Sequence, residues 1–115
     1  MNKEQLNEYL SKKCDVPIKL IKNSSVSITA LSLFKLRDII LSQLGTIQYE
    51  DVDNQIYIAA IRGGFLKKNT ATVAFHLFEN QLLLAVYARE GIINQHTSED
   101  VFNEIQKVLH KNITQ

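Results

Sequence analysis

Residues 61–69 read IRGGFLKKN, and this stretch combines charge with backbone freedom. Arg62, Lys67 and Lys68 are cations. Gly63 and Gly64 lack side chains, so their N–H groups can approach an anion such as a phosphate. Arg89, which follows a later apolar segment, offers a further positive charge to the same candidate site. One feature opposes the anion reading. Phosphate-gripping glycine loops lead from a strand into a helix that aims its N-terminus at the ligand, whereas here a strand-like alternation resumes at Thr70. Glycines also mark places where a strand bends out of a sheet, and lysines guard loops and edges. The structural role is the favoured one, with anion or nucleic-acid binding as the alternative. Single-stranded nucleic acid would need aromatic platforms, and within the loop only Phe65 supplies one.

His76 lies among Phe75, Leu77 and Phe78, where an imidazole could act as a base or a ligand. It has no HxH or HExxH companion, and His96 and His110 belong to a loop and a helix end. A satisfied or edge-exposed sheet histidine is the plainer reading. Asp51 and Asp53 flank a turn, while Glu99 and Asp100 open a helix, positions where acids serve structure. No nucleophile elbow or Cys–His pairing is present in the pattern, so no catalytic residue, metal or cofactor is assigned.

The 13 basic and 12 acidic side chains leave a formal charge of +1, so no overall field draws the chain to nucleic acid or anionic membrane. Cys14 is the sole cysteine, which excludes an internal disulfide and suits a reducing compartment. The opening MNKEQLNEYL does not have the form of a secretory signal. The longest apolar run, Leu82 to Ala88, falls far short of the about 20 residues that span a bilayer. A cytoplasmic protein that does not enter membranes is expected, folded as one α+β domain over residues 1–115.

The elements follow from apolar spacing. Asn2 and Gln5 have capping-box spacing ahead of Leu6, Tyr9 and Leu10, which predicts a helix over 3–13. After Pro17, the segment to Thr29 predicts two short strands about a turn at Asn23 to Ser25, with Ile18, Leu20, Val26 and Ile28 on one face. Leu33, Leu36, Ile40 and Leu44 recur at helical spacing over 30–44, and Gly45 fits a left-handed residue closing that helix. A last helix is predicted over 97–111, with Glu99 and Asp100 at its start and Lys107, His110 and Lys111 at its end.

Between the last two helices the period falls to two, which predicts an antiparallel four-strand meander over 46–89, with the helices on one sheet face. A turn at Asp53-Asn54 would group Ile47, Tyr49, Ile56, Ile58 and Ala60, leaving the other face of this hairpin mixed and largely toward water. In the second hairpin, a three-residue loop at Glu79 to Gln81 would group Val73, Phe75, Leu77, Leu83, Ala85 and Tyr87 against Ala74, His76, Phe78, Leu82, Leu84, Val86 and Ala88. Both faces are apolar. Such a pair needs cover on both sides, from its own helices or from a partner. The resulting expectation is a non-enzymatic protein-interaction module, homodimeric or bound to another protein, with Phe75, Leu83 and Tyr87 at the interface.

Overall fold

The computed structural model describes residues 1–63, 69–89 and 96–113. Its elements in chain order are α1 (Lys3–Cys14), a 3-10 turn (Ile18–Leu20), β1 (Lys22–Ser27) and α2 (Leu33–Ile39), which runs on as a π-helical turn (Ile40–Leu44). Then come β2 (Gly45–Asp51), β3 (Ile56–Gly63), β4 (Asn69–Phe78), β5 (Gln81–Ala88) and α3 (Thr97–Ile113). The five strands form one antiparallel sheet in the order β1-β5-β4-β3-β2. The α+β class and the meander of β2 to β5 are as expected. The helices, however, lie on both faces of the sheet.

One face carries α2, its π turn and α3. There Leu36, Ile40, Val101 and Ile105 meet Ala59, Ile61, Val73, Phe75, Leu84 and Val86 in the larger core. The other face carries α1, whose Leu6 and Leu10 are fully buried against Ile56, Ile58, Ala74 and Ala85. Ala74 and Ala85 are cross-strand partners, so the small pair gives the helix a shallow seat. The capping box forms as its spacing predicts: Gln5 N donates to Asn2 Oδ1 and Asn2 N donates to Gln5 Oε1, each at 2.9 Å.

Three further expectations change. First, the N-terminal region contributes one strand. Asn23 to Ser25 lie within β1, not in a turn, because β5 supplies a complete pairing partner and the Asn23 side chain is held by Asn7 and the Leu84 carbonyl. Ile18 and Leu20 belong to the 3-10 turn that follows Pro17 and are exposed.

Second, the helix expected over 30–44 begins at Leu33. Ser32 caps it by accepting from Lys35 N, and Ala30 has a left-handed φ of 60° that no helix interior allows. Gly45 is extended and opens β2; its side chain is missing for a different reason, since a Cβ there would collide with the Ala60 carbonyl.

Third, register moves residues between faces. A bulge between Ile47 and Tyr49 sets Ile47 opposite Ala59, so it joins the larger core and leaves the face of Ile56 and Ile58. β3 is buried along both faces, not half-solvated, because α1 covers Ile56 and Ile58 while α2 and α3 cover Tyr57, Ala59 and Ile61. The second hairpin turns on Glu79 and Asn80 alone, with Phe78 opposite Gln81, and this shorter loop exchanges the two faces of β5. Leu82, Leu84 and Val86 share the larger core with Phe75, whereas Leu83, Ala85 and Tyr87 lie on the α1 side with Ala74 and His76. Both faces of this hairpin are apolar as the alternation requires, and α1 and α3 provide the cover within one chain.

Candidate binding groove beside an open sheet edge

Of the residues singled out in the glycine-rich stretch, Gly64, Lys67 and Lys68 lie outside the described residues. Gly63 ends β3 where α3 begins, and a Cβ there would stand 2.8 Å from Val101 Cγ2 and 3.1 Å from the Thr97 carbonyl. Its missing side chain therefore lets α3 approach the sheet. Arg62 is exposed and pairs across the sheet with Thr70; continuing the β4–β5 register by one residue sets Arg89 on the other side of Thr70. The two arginines thus share one row at one end of the sheet.

The proposed interface residues separate. Phe75 is fully buried in the larger core and reaches no surface. Leu83 and Tyr87 are half-buried on the α1 face, on either side of the Ala74–Ala85 seat. The two-residue turn at Glu79 and Asn80 produces this separation, and alternation alone could not have located it.

On the α1 face toward the tip of the second hairpin, helical cover ends. His76, Leu83 and Ser25 form one row across β4, β5 and β1, and Phe78, Gln81 and Ser27 form the next. These six residues floor a groove of about 720 Å³ closed at one side by Met1, Asn2 and Lys3 at the start of α1. Its size falls in the range of about 300–1,000 Å³ usual for ligand clefts.

His76 is the anomaly of this groove. It is 7% exposed, yet neither ring nitrogen makes a hydrogen bond. Burial first, and the Met1 ammonium second, hold its pKa below the usual histidine value, only partly offset by the nearby Asn54 and Gln55 backbone. The ring is therefore neutral at pH 7, carrying one N–H donor and one acceptor. The Phe78 ring lies parallel to it, 4° between planes and 6.4 Å between centres, and is more than half exposed. Both ring nitrogens are enclosed as well as unpaired, so the groove is offered no hydrogen-bonding atom of this imidazole.

A second groove, about 620 Å³, opens on the opposite face of β1. Val26 and Ile28 line it with Leu109 and Ile113 of α3, beside Lys107 and His110. Ser27, Ile28 and Thr29 border both grooves, so the end of β1 is a partition between them. Because β1 is the sheet's edge, its outer side pairs with no described strand. Sequence reasoning missed this site because it placed a turn where β1 runs; the serine-rich NSSVS between apolar flanks was its only local signal.

Elsewhere, Cys14 is half-buried and burial pushes its thiol pKa up, which disfavours the reactive thiolate. Among the described residues no cluster of three or more His, Cys, Asp or Glu side chains could hold a metal, and no helix is long and apolar enough to cross a membrane. Compared with protein-family models, with curated proteins and with solved structures, the chain matches none.

Proposed function

We propose that this protein is a non-enzymatic interaction module that contacts another protein chain, either a second copy or a different partner, through the uncovered part of the α1 face. The uncovered part of that face carries this reading: half-buried Leu83 and the exposed Phe78, with Ser25, Ser27 and Gln81, make a mixed apolar and polar groove beside a free sheet edge. Such a surface lacks a nucleophile with its base, and suits recognition better than turnover. A homodimer built through Phe75 is not retained, because that side chain is already enclosed.

The test is photo-cross-linking in the cytoplasm of the source cell, with a photoreactive residue at Gln81 in the groove and, as control, at exposed Lys35 on α2. A discrete adduct from position 81 alone is expected. Its mass separates self-association, at twice the chain, from a different partner. Equal smears from both positions would refute the reading.

A second reading has the arginine row behind it. Arg62 and Arg89 flank Thr70 at the end of the sheet from which residues 64–68 leave, an arrangement suited to an anion or a nucleic-acid phosphate, with Lys67 and Lys68 as added charge. Phosphate contacts release counterions, so affinity for a single-stranded oligonucleotide would fall steeply with salt and drop on Arg62→Ala plus Arg89→Ala. Salt-independent or undetectable binding removes this reading.

A further inference from the structure

We propose that His76 works as a proton-operated latch on α1: when the imidazole takes up a proton, the first turn of α1 comes off the sheet and the ring opens to the adjoining groove. The latch is a property of the fold and does not depend on what the groove binds. His76 lies in one row between Ile56 of β3 and Leu83 of β5, and both its nitrogens are enclosed with no partner. Among the described residues these are the only enclosed side-chain nitrogens or oxygens left so. A neutral imidazole tolerates such a place at modest cost. An unpaired charge does not, because an ion loses far more on leaving water. A proton can therefore be held only where water or an acceptor reaches the ring.

The groups around the ring decide which wall yields. The start of α1 brings the Met1 ammonium, which disfavours a charge on His76, together with Lys3 and the positive pole of a 12-residue helix. The turn between β2 and β3 brings the backbone of Asn54 and Gln55, which favours that charge. Its carboxylates are Asp51, engaged by Tyr9 and Asn54, and exposed Asp53. Glu79 lines the groove from the turn between β4 and β5, and the row neighbours Ile56, Leu83 and Ser25 carry no charge. An imidazolium is thus repelled by α1 and attracted by the β2–β3 turn.

The two walls also differ in how they are fastened. Leu77 N donates to the Gln55 carbonyl at 3.1 Å, and Asn54 N and Nδ2 donate to Asp51, so the turn is tied to the sheet. Residues 1–5, in contrast, are all exposed, and their capping box joins Asn2 to Gln5 within the helix itself. Leu6 is the first side chain of α1 buried against the sheet. Repulsion therefore lifts the first turn, leaves the Leu6 side chain as the anchor, and breaks the bond from Leu6 N to the Asn2 carbonyl.

The groove changes with it. In the neutral state it meets no hydrogen-bonding atom of the ring; in the protonated state it gains a charged donor at its floor.

The experiment is amide hydrogen exchange and histidine ring NMR on the full chain, from about pH 7.5 to about pH 4.5, a range that spans the ordinary histidine value. Protection of the Leu6 amide, corrected for the intrinsic exchange rate, should be constant above about pH 6.5, the value to which the opened ring returns. Below it, protection should fall by up to about tenfold per pH unit, the limit for one linked proton. The His76 ring signals should move over the same range while the β4–β5 amides stay protected. His76→Leu should make the Leu6 profile level, and so should His76→Gln, which keeps a polar side chain that cannot be charged. A level profile in wild type, a slope that survives in both variants, or joint loss of Leu6 and β4–β5 protection would overturn the latch. Each of these is read with no partner present, so the interaction reading stands or falls separately by its cross-linking test.

Discussion

Phe75 and His76 are consecutive in the chain and sit on opposite faces of the sheet: the ring of Phe75 is sealed in the larger core, and that of His76 floors a groove beneath the end of α1. The distinction has a direct consequence for charge insertion. Phe75→Asp removes a buried aromatic, worth about 3–5 kcal/mol on truncation alone, and adds an unpaired carboxylate in the core. Loss of the fold is expected, seen as loss of cooperative urea unfolding. Leu83→Asp, at a half-buried position on the groove side, should leave a folded chain with stability reduced by about 1–2 kcal/mol. Equal damage from both would contradict the register of the second hairpin.

Replacing His76 by leucine should stabilise the protein. An unsatisfied buried polar group costs about 1–3 kcal/mol, so His76→Leu is expected to gain about 1 kcal/mol in urea unfolding. Because burial lowers the folded-state pKa, the unfolded chain binds the proton first as pH falls below about 6.5. This group's contribution is therefore complete above that pH and is lost as pH falls toward the folded value. The Met1 ammonium also lowers the His76 pKa and is present in both proteins, so the readout is the difference between wild type and variant. Between pH 7 and pH 5 wild type should lose more stability than His76→Leu.

The legible parts of this fold were those fixed by local signals. Asn2 with Gln5, and the stripe of Val101, Ile105, Val108 and Leu109, identify α1 and α3 because a cap and a helical period are both written within a few residues. The double-sided character of β4 and β5 was equally readable, since both sets of alternate positions are apolar. Register was less accessible. Whether Leu83 faces α1 or α3 depends on one residue of turn length, and Ile47 on one bulged residue, and neither changes the composition of its strand. The candidate groove inherits that dependence: it exists because β1 pairs with β5, a contact of about sixty residues in sequence made by a segment whose polar character alone resembles a turn.

Two glycines are expected to resist substitution for steric reasons. Gly45→Ala pushes a Cβ into the Ala60 carbonyl, which belongs to a paired strand and cannot move alone; overpacking of this kind costs about 1–3 kcal/mol. At Gly63 the nearest obstacle is the Val101 side chain, with the Thr97 carbonyl behind it, so Gly63→Ala should displace the first turn of α3. Faster amide exchange over Ser98 to Phe102, with the β1–β5 ladder unchanged, is the expected signature. An unaltered exchange pattern would mean that the close approach is not what fixes this glycine.

Tyr9 Oη donates to Asp51 Oδ2 at 2.6 Å and thereby fastens α1 to the end of β2, while the same carboxylate accepts from Asn54 N and Nδ2 in the adjoining turn. Lys13 completes the cluster by donating to Tyr49 Oη at 2.9 Å. Burial and the Asp51 carboxylate push the Tyr9 pKa well above its ordinary value, and the hydrogen bonds from Asn54 and Tyr9 hold Asp51 below its own. Tyr9→Phe should cost about 1 kcal/mol, the net value of a partly exposed hydrogen bond to a charged group. For Asp51 the folded pKa is depressed, so its contribution is complete above the ordinary carboxylate value near 3.8 and fades as pH falls through the lower folded value. Urea unfolding at pH 6 should therefore separate wild type from Asp51→Asn, and the separation should shrink at pH 3. The double variant Tyr9→Phe with Asp51→Asn should lose less than the sum of the two, because one change removes the donor and the other the charge of the same hydrogen bond; full additivity would show that this bond does not hold α1 to β2.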